Sequence, residues 1–129
     1  MYPYDQKNIV ALATPPGKSA LAVVRFSGKN LTNIFKKFTH KKSPVNRKAI
    51  FTKLYHPLSN HLLDEAVITY FMSPHSFTGE DVLEISCHGG ETVPNNIIQA
   101  ALDFGLRMAE PGEFSFRSFM NGKMDLVQA

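Results

Sequence analysis

Short apolar runs and helically spaced apolar positions alternate along the chain, and this pattern predicts the order of its elements. Apolar runs rich in β-branched residues and bounded by Gly, Pro, Asn or Ser are typical of strands. Apolar residues three and four positions apart are typical of helices that pack on one side. We predict strands at residues 8–14, 20–28, 49–56, 64–72 and 81–88, and a short strand with a turn within residues 106–114. We predict helices at roughly residues 31–38, from the Gly89-Gly90 pair to about residue 104, and at residues 113–120.

Strands mixed with a few helices, without an internal repeat, favour the α+β fold class. We therefore predict a mixed, largely antiparallel sheet with a few packed helices. Pro and Gly residues predict turns at residues 14–19 and 57–62, and polar stretches predict loops at residues 39–48 and 73–79. Residues 125–129 look like the start of another helix, so we expect the chain to be part of a longer protein.

Composition narrows the class of protein. The chain has 129 residues, 43% of them apolar and 19% charged, which predicts a single domain with a Phe-rich core. The single cysteine excludes an internal disulfide and fits a reducing cytosol. No run approaches the roughly 18 apolar residues of a membrane span, and the first residues do not resemble a secretory signal. The net charge of +3 permits an anionic partner without establishing one.

Two motifs with catalytic associations do not meet the requirements of their chemistry. The GKS of residues 17–19 resembles the end of a phosphate-binding loop, but that loop needs a glycine where Leu12 stands. Cys87 and His88 are neighbours on a predicted strand, so their side chains point to opposite faces and cannot readily form a catalytic dyad. The histidines are scattered singly, unlike the paired ligands of a zinc site. We predict that Cys87 is a core residue.

Alternation along residues 81–88 separates a core face from a polar face. Leu83, Ile85 and Cys87 share the core face, and Val82, Glu84, Ser86 and His88 share the other. A carboxylate among apolar strand residues must face water, pair with a cation or meet a ligand, and the pattern leaves all three open for Glu84. Arg25 poses the same question within LAVVRF, where a structural salt bridge is the alternative to a ligand contact.

Two further segments indicate a function less specifically. A basic cluster consists of Lys36, Lys37, Lys41, Lys42, Arg47 and Lys48. It is either a solvated face or a contact for the RNA backbone, and His40 is the only ring in its loop. Near the carboxyl end, Phe114, Phe116 and Phe119 are predicted to anchor a short helix, after which Asn121-Gly122 turns the chain and presents Lys123.

The segments NIVALATPPGKSALAVVRFSG, LLDEAV, SFTGEDVLEISCHGG and AEPGEFSFRSFMNGKMDLVQA together resemble a known family. They are similar to the N-terminal domain of the tRNA-modification GTPases called MnmE or TrmE, formerly the thiophene and furan oxidation protein. The resemblance covers residues 8–129, and it is weakest over residues 29–60. It implies a domain at residues 1–122, followed at residues 123–129 by the start of a helical domain.

The resemblance implies a function and a set of partners. The N-terminal domain of the family is similar to the folate-binding domain of the glycine-cleavage T protein, binds formyl-tetrahydrofolate and forms the homodimer. With the flavin-dependent partner GidA (MnmG), the family modifies the wobble uridine of certain tRNAs in the cytoplasm. GTP, magnesium and potassium belong to a GTPase domain that these residues do not contain. We therefore expect no catalysis by this chain alone.

The family's ligand contacts match three positions of this chain: Arg25, Glu84 and Lys123. A carboxylate such as Glu84 suits the 2-amino and ring N–H edge of a pterin, since it accepts two hydrogen bonds at once. Arg25 and Lys123 suit the acidic tail or the formyl oxygen of the folate. The alternatives are a purely structural dimerisation module and a tRNA-binding module.

Overall fold

The structure is a computed structural model that describes residues 5–15 and 20–123. Six strands and three helices alternate in these ranges, in an order close to the one predicted. The strands are β1 (Ile9–Leu12), β2 (Leu21–Gly28), β3 (Ala49–Tyr55), β4 (Leu62–Phe71), β5 (Asp81–His88) and β6 (Arg107–Met108). The helices are α1 (Thr32–Thr39), α2 (Thr92–Asp103) and α3 (Glu113–Met120). Most of the predicted turn at residues 14–19 and the predicted helix start at residues 125–129 lie outside the described residues.

One mixed sheet contains all six strands in the order β3-β4-β5-β2-β1-β6. Neighbouring strands are antiparallel except β1 and β6, which run parallel. The predicted α+β class with a largely antiparallel sheet is therefore confirmed. Some boundaries differ from the prediction. β4 begins at Leu62 rather than Asp64, because Leu62 pairs with Tyr55 across a register shift in β3, and α2 begins at Thr92 rather than at the Gly89-Gly90 pair.

The core lies on the sheet face that α1 and α2 cover. Leu83, Ile85 and Cys87 of β5 are each no more than 1% exposed, which confirms the core face predicted for this strand. In α1, Ile34, Phe35 and Phe38 point inward, and the ring of Phe38 meets that of Phe26 edge-on at 5.8 Å. In α2 the buried stripe consists of Pro94, Ile97, Ile98, Ala100 and Ala101. The apolar sides of the two helices thus pack against the apolar face of the sheet.

The opposite face of the sheet is only partly covered. It carries Arg25 and Glu84, the two charged strand residues singled out from the sequence. Helix α3 and the segment 73–80 lie against each other. Ser118 Oγ donates to the carbonyl of Phe77 at 2.7 Å, and Asn121 Nδ2 donates to the carbonyl of Thr78 at 2.9 Å. Ser27 at the end of β2 contacts Thr78 through their hydroxyls at 2.7 Å. These bonds fix the segment 73–80 beside β2 and β5.

Gly28 ends β2 at a place where another segment approaches its backbone closely. A Cβ atom at Gly28 would lie 1.8 Å from Oδ1 of Asn8 and 3.1 Å from its Cβ. Asn8 is itself held by a hydrogen bond from Nδ2 to the carbonyl of Asn30 at 3.3 Å. A side chain at residue 28 therefore requires the segment before β1 to move.

We expect Gly28→Ala to lower the free energy of unfolding by about 1–3 kcal/mol, the usual cost of overpacking. Asn8→Ala in the same chain should recover part of this loss, because it removes the two closest atoms. Urea unfolding of the parent, both single variants and the double variant measures the coupling. Additive effects of the two substitutions would contradict the steric explanation.

Candidate functional site

Arg25 and Glu84, two of the three residues that the resemblance implies as ligand contacts, face each other across neighbouring strands. They are register partners in the antiparallel pair of β2 and β5. Nε of Arg25 donates to Oε2 of Glu84 at 2.7 Å, and the two side chains are 31% and 30% exposed. The sequence left an ion pair open as one alternative for each residue. In the structure the two residues form this ion pair with each other.

The ion pair leaves hydrogen-bonding capacity unused. Only Nε of Arg25 and Oε2 of Glu84 take part, so both terminal nitrogens of Arg25 and Oε1 of Glu84 lack partners among the described residues. In the described part of the chain, no buried side-chain nitrogen or oxygen atom lacks a hydrogen-bond partner, so these three unpaired atoms are not buried. The pair therefore presents two donor nitrogens and one acceptor oxygen to solvent.

An aromatic ring lies next to the pair. Cζ of Arg25 is 5.8 Å from the centre of the Phe77 ring, within the range of a cation–π contact. Phe77 is 48% exposed although it is a large apolar side chain. The arrangement therefore combines a flat apolar surface with the free polar atoms of Arg25 and Glu84.

Lys123, the third residue that the resemblance implies as a ligand contact, follows α3 and lies beside Gly79 of the segment 73–80. Its backbone N–H donates to the carbonyl of Ser118 at 2.8 Å, which closes the end of α3. A Cβ at Gly79 would lie 3.3 Å from Cγ of Lys123, so the lysine stem runs along that glycine. The segment that brings Phe77 to Arg25 thus also contacts Lys123, which is exposed and forms no ion pair with another described residue.

A second group of charged residues fixes this segment, and sequence reasoning missed it. Arg117 is completely buried and donates to Glu113 Oε2 and Glu80 Oε1, each at 2.9 Å. Its Nη2 also donates to the carbonyl of Lys7 at 2.7 Å. Glu80 accepts a further hydrogen bond from Ser27 Oγ at 2.9 Å. We call Arg117, Glu113 and Glu80 the buried triad; it joins α3, the segment 73–80 and the residues before β1.

Arg107 extends the triad towards the start of the chain. Its two terminal nitrogens donate to the carboxylate of Glu113 at 2.8 and 2.9 Å, and its Nη2 donates to Asp5 Oδ1 at 2.9 Å. The hydrogen bonds that Arg107 donates to Glu113 and Asp5 outweigh desolvation and raise the pKa of Arg107. Burial opposes ionisation of Glu113, but bonds from Arg107, the Glu110 N–H and Arg117 lower its pKa. The Glu113 carboxylate therefore stays charged inside the protein.

The fully buried residues of α3 are not the phenylalanines that were expected from the sequence to anchor it. The buried residues of α3 are Glu113, Arg117 and Ser118, whereas the three phenylalanines are only partly buried. The usable signal was the spacing of Glu113 and Arg117 four positions apart, which places opposite charges on one side of a helix. That spacing indicates an ion pair but does not indicate its burial, which depends on the distant Glu80.

Cys87 and His88, the other chemically reactive candidates, lie on opposite faces of β5. Cys87 is buried as predicted, and burial, with the nearby charge of Asp64, raises the pKa of its thiol to about 11. His88 is exposed and its Nδ1 contacts Asp64 Oδ1 at 2.9 Å. Among the described residues, no three His, Cys, Asp or Glu side chains are grouped so that they could hold a metal ion.

The fold and this site define an α+β domain with a solvent-accessible ion pair supported by a buried charged triad. Residues 8–123 match the family described as the GTP-binding protein TrmE N-terminus. Because this match extends over most of the sequence, the chain belongs to that family.

Curated relatives agree with the family match. The chain is 46% identical over 123 residues to a tRNA modification GTPase MnmE of Dichelobacter nodosus (strain VCS1703A), with 95% of this chain and 27% of the relative covered. It is 45% identical over 124 residues to the protein of the same name from Sulfurovum sp. (strain NBC37-1), with 96% and 27% covered. For Helicobacter acinonychis (strain Sheeba) the identity is 48% over 120 residues, with 93% and 26% covered. The chain thus spans about a quarter of the length of these relatives.

In the described ranges no helix has the length and apolar character needed to cross a membrane.

The two ion pairs should differ strongly in their effect on stability. Arg117→Met should lower the free energy of unfolding by about 3–5 kcal/mol, because it leaves buried carboxylates without their cation. Arg25→Met should change it by no more than about 1 kcal/mol, because its pair is partly solvated. Urea unfolding of both variants and the parent gives the comparison, and similar losses from the two substitutions would contradict the distinction.

Proposed function

We propose that this chain is the folate-binding and dimerisation domain of a tRNA-modification GTPase. The family membership supports this proposal, since the relatives are named tRNA modification GTPases. The observation that carries the folate assignment is the solvent-accessible pair of Arg25 and Glu84 with three unused hydrogen-bonding atoms.

The chemistry of a reduced pterin fits these atoms. The pterin carries a 2-amino group and a ring N–H on one edge, and a carboxylate such as Glu84 accepts such donors by charge-assisted bonds. The terminal nitrogens of Arg25 can donate to a formyl oxygen or to the glutamate tail. The exposed ring of Phe77 offers the flat pterin a surface on which to stack. Lys123, beside Gly79, supplies a second cation for the acidic tail.

In this proposal the domain binds and presents formyl-tetrahydrofolate, and it performs no chemistry alone. The folate would supply a one-carbon unit for modification of the tRNA wobble uridine. The flavin-dependent partner GidA (MnmG) would take part in that reaction in the cytoplasm. GTP, magnesium and potassium would bind in a separate GTPase domain. Within the described residues, the contribution of the chain is to orient the ligand through Arg25, Glu84, Phe77 and Lys123.

Glu84→Gln should weaken binding of formyl-tetrahydrofolate by roughly 10- to 100-fold, because hydrogen bonds to a charged group contribute about 1.5–3 kcal/mol. Lys123→Gln should weaken it less, since this exposed cation meets only the ligand tail. Isothermal titration of the parent and variants measures both effects. The matched control is Glu65→Gln, an exposed carboxylate of β4, which should leave affinity unchanged. Equal affinities of Glu84→Gln and the parent would exclude the carboxylate contact.

Homodimerisation is the second part of the proposal, and an exposed leucine near the pair supports it. Leu21 is 60% exposed on β2 and shares its sheet face with Arg25, four residues further along the strand. Val67, 38% exposed, lies on the same sheet face, and several exposed apolar side chains on one face favour a surface that becomes buried in an assembly.

Leu21→Glu should reduce the fraction of dimer, because it would bury a charge in the interface. Sedimentation velocity of the 129-residue chain measures the distribution of monomer and dimer. Leu58→Glu is the control, since Leu58 is similarly exposed, at 59%, in the turn between β3 and β4. If Leu21→Glu and the parent sediment identically as dimers, Leu21 lies outside the interface.

A further inference from the structure

A cavity of about 420 Å³ lies where the loop 40–48 crosses the edge of the core beside β3 and β4. Its inner lining is apolar: Phe35 comes from α1, Ile50 from β3, and Ile68 and Tyr70 from β4. Ile50 and Ile68 are register partners of the antiparallel pair, so their side chains share one face of the sheet. The volume is within the range of about 300–1,000 Å³ that is usual for ligand pockets. The cavity is therefore large enough for a small organic molecule.

The only polar side-chain atom of this inner lining already has its partners. The hydroxyl of Tyr70 donates to Oδ2 of Asp81 and accepts a hydrogen bond from the N–H of Leu31 at 3.1 Å. A polar group that entered this part of the cavity would lose its water without gaining a hydrogen bond from a side chain. The part of a ligand that reaches the inner lining must therefore be apolar.

Three polar side chains of the loop line the same cavity nearer to solvent. Lys41, Ser43 and Lys48 are exposed, and their side chains form no hydrogen bond or ion pair with another described residue. No Asp or Glu occurs between Asp5 and Asp64, whereas eleven of the 14 Lys and Arg residues lie there. The two ammonium groups are therefore free to bind an anion at the mouth of the cavity.

The backbone of the loop is fixed at both ends. At its start, the N–H of Lys41 donates to Oγ1 of Thr39 at 3.1 Å. Near its end, the N–H of Arg47, the residue before Lys48, donates to the carbonyl of Tyr70 at 2.7 Å. A ligand thus meets lysines whose backbone is already ordered, and this order reduces the entropy lost on binding.

We propose that this cavity binds a small carboxylate with an apolar body, of the size of a medium-chain fatty acid. The apolar body lies against Ile50 and the inner lining, and Lys41 and Lys48 bind the carboxylate. Burial of the apolar body supplies most of the affinity, because it removes apolar surface from water. The two cations supply the selectivity, since they reject a positively charged analogue of the same shape.

This site shares no residue with the proposed folate site. Ile68 and Tyr70 lie on the face of the sheet that α1 covers, whereas Arg25 and Glu84 lie on the opposite face. A chain that fails to bind folate can still bind the carboxylate, and the reverse also holds. Separate titrations of the same protein therefore distinguish the two results.

The test uses the 129-residue chain labelled with ¹⁵N and follows its amide resonances during titration with sodium octanoate. Saturable shifts should centre on Ser43, Val45, Lys48 and Ile50. Octanoate should bind roughly tenfold more tightly than hexanoate, because two more methylene groups leave water. Octylammonium, which has the same chain and the opposite charge, should cause no shifts there. A parallel titration with 2-naphthoate shows whether the cavity prefers an alkyl or an aromatic body.

Two variants separate the parts of the site. Lys41→Gln/Lys48→Gln should raise the Kd of octanoate roughly tenfold, since each lysine makes a partly solvated ion contact. Val45→Asp should raise it at least as much, because it places a negative charge at the mouth of the cavity. Val45 is 62% exposed, so the fold should tolerate this change, and unchanged resonances outside the loop would verify that it does.

Matched controls carry the same changes outside the cavity. Lys36→Gln/Lys37→Gln removes two exposed lysines of α1, and Leu58→Asp changes a side chain that is 59% exposed. Both should bind octanoate like the parent. The proposal is overturned if octanoate and 2-naphthoate both leave the loop amides unshifted, or if octylammonium shifts them equally. Parent-like binding by Lys41→Gln/Lys48→Gln, or shifts that spread over the whole surface without saturation, would overturn it as well.

Discussion

The burial of Arg117 is the constraint on which the rest of this domain depends. A guanidinium inside a protein destabilises the fold unless carboxylates and carbonyls surround it, so every partner must be in place together. Glu113 comes from the same helix, Glu80 from the segment before β5, and the carbonyl of Lys7 from the residues before β1. Three parts of the chain that are distant in sequence are thereby fixed relative to one another. The segment that carries Phe77 owes its position to this arrangement.

Two Arg–Glu ion pairs of this domain differ in their surroundings. The Arg117–Glu113 pair is fully buried and has its hydrogen bonds completed by protein groups. The Arg25–Glu84 pair is about one-third exposed and has free atoms on both partners. The buried pair helps to fix α3 against the segment 73–80. This segment in turn places Phe77 next to Arg25. A ligand entering there would meet groups that are already oriented.

The elements of this fold could be predicted from the sequence because their signals are local. Alternation in LEISC identified the core face of β5, and Gly89-Gly90 separated that strand from α2. The contacts between elements could not be predicted in the same way. The pairing of Arg25 with Glu84 depends on the register of β2 and β5, and residues 59 apart in sequence give no local signal for it. The burial of Arg117 depends equally on tertiary packing.

The parallel strand β6 and the triad join the beginning of the described chain to its end. β1 lies between β2 and β6, so its second edge finds a partner only when Arg107 and Met108 are available. The bonds from Arg107 to Asp5 and from Arg117 to Lys7 span 102 and 110 residues. Contacts of such length bear a large loop-closure entropy and slow the folding of a small domain. The residues before β1 therefore gain these partners only after Arg107 and Arg117 have been synthesised.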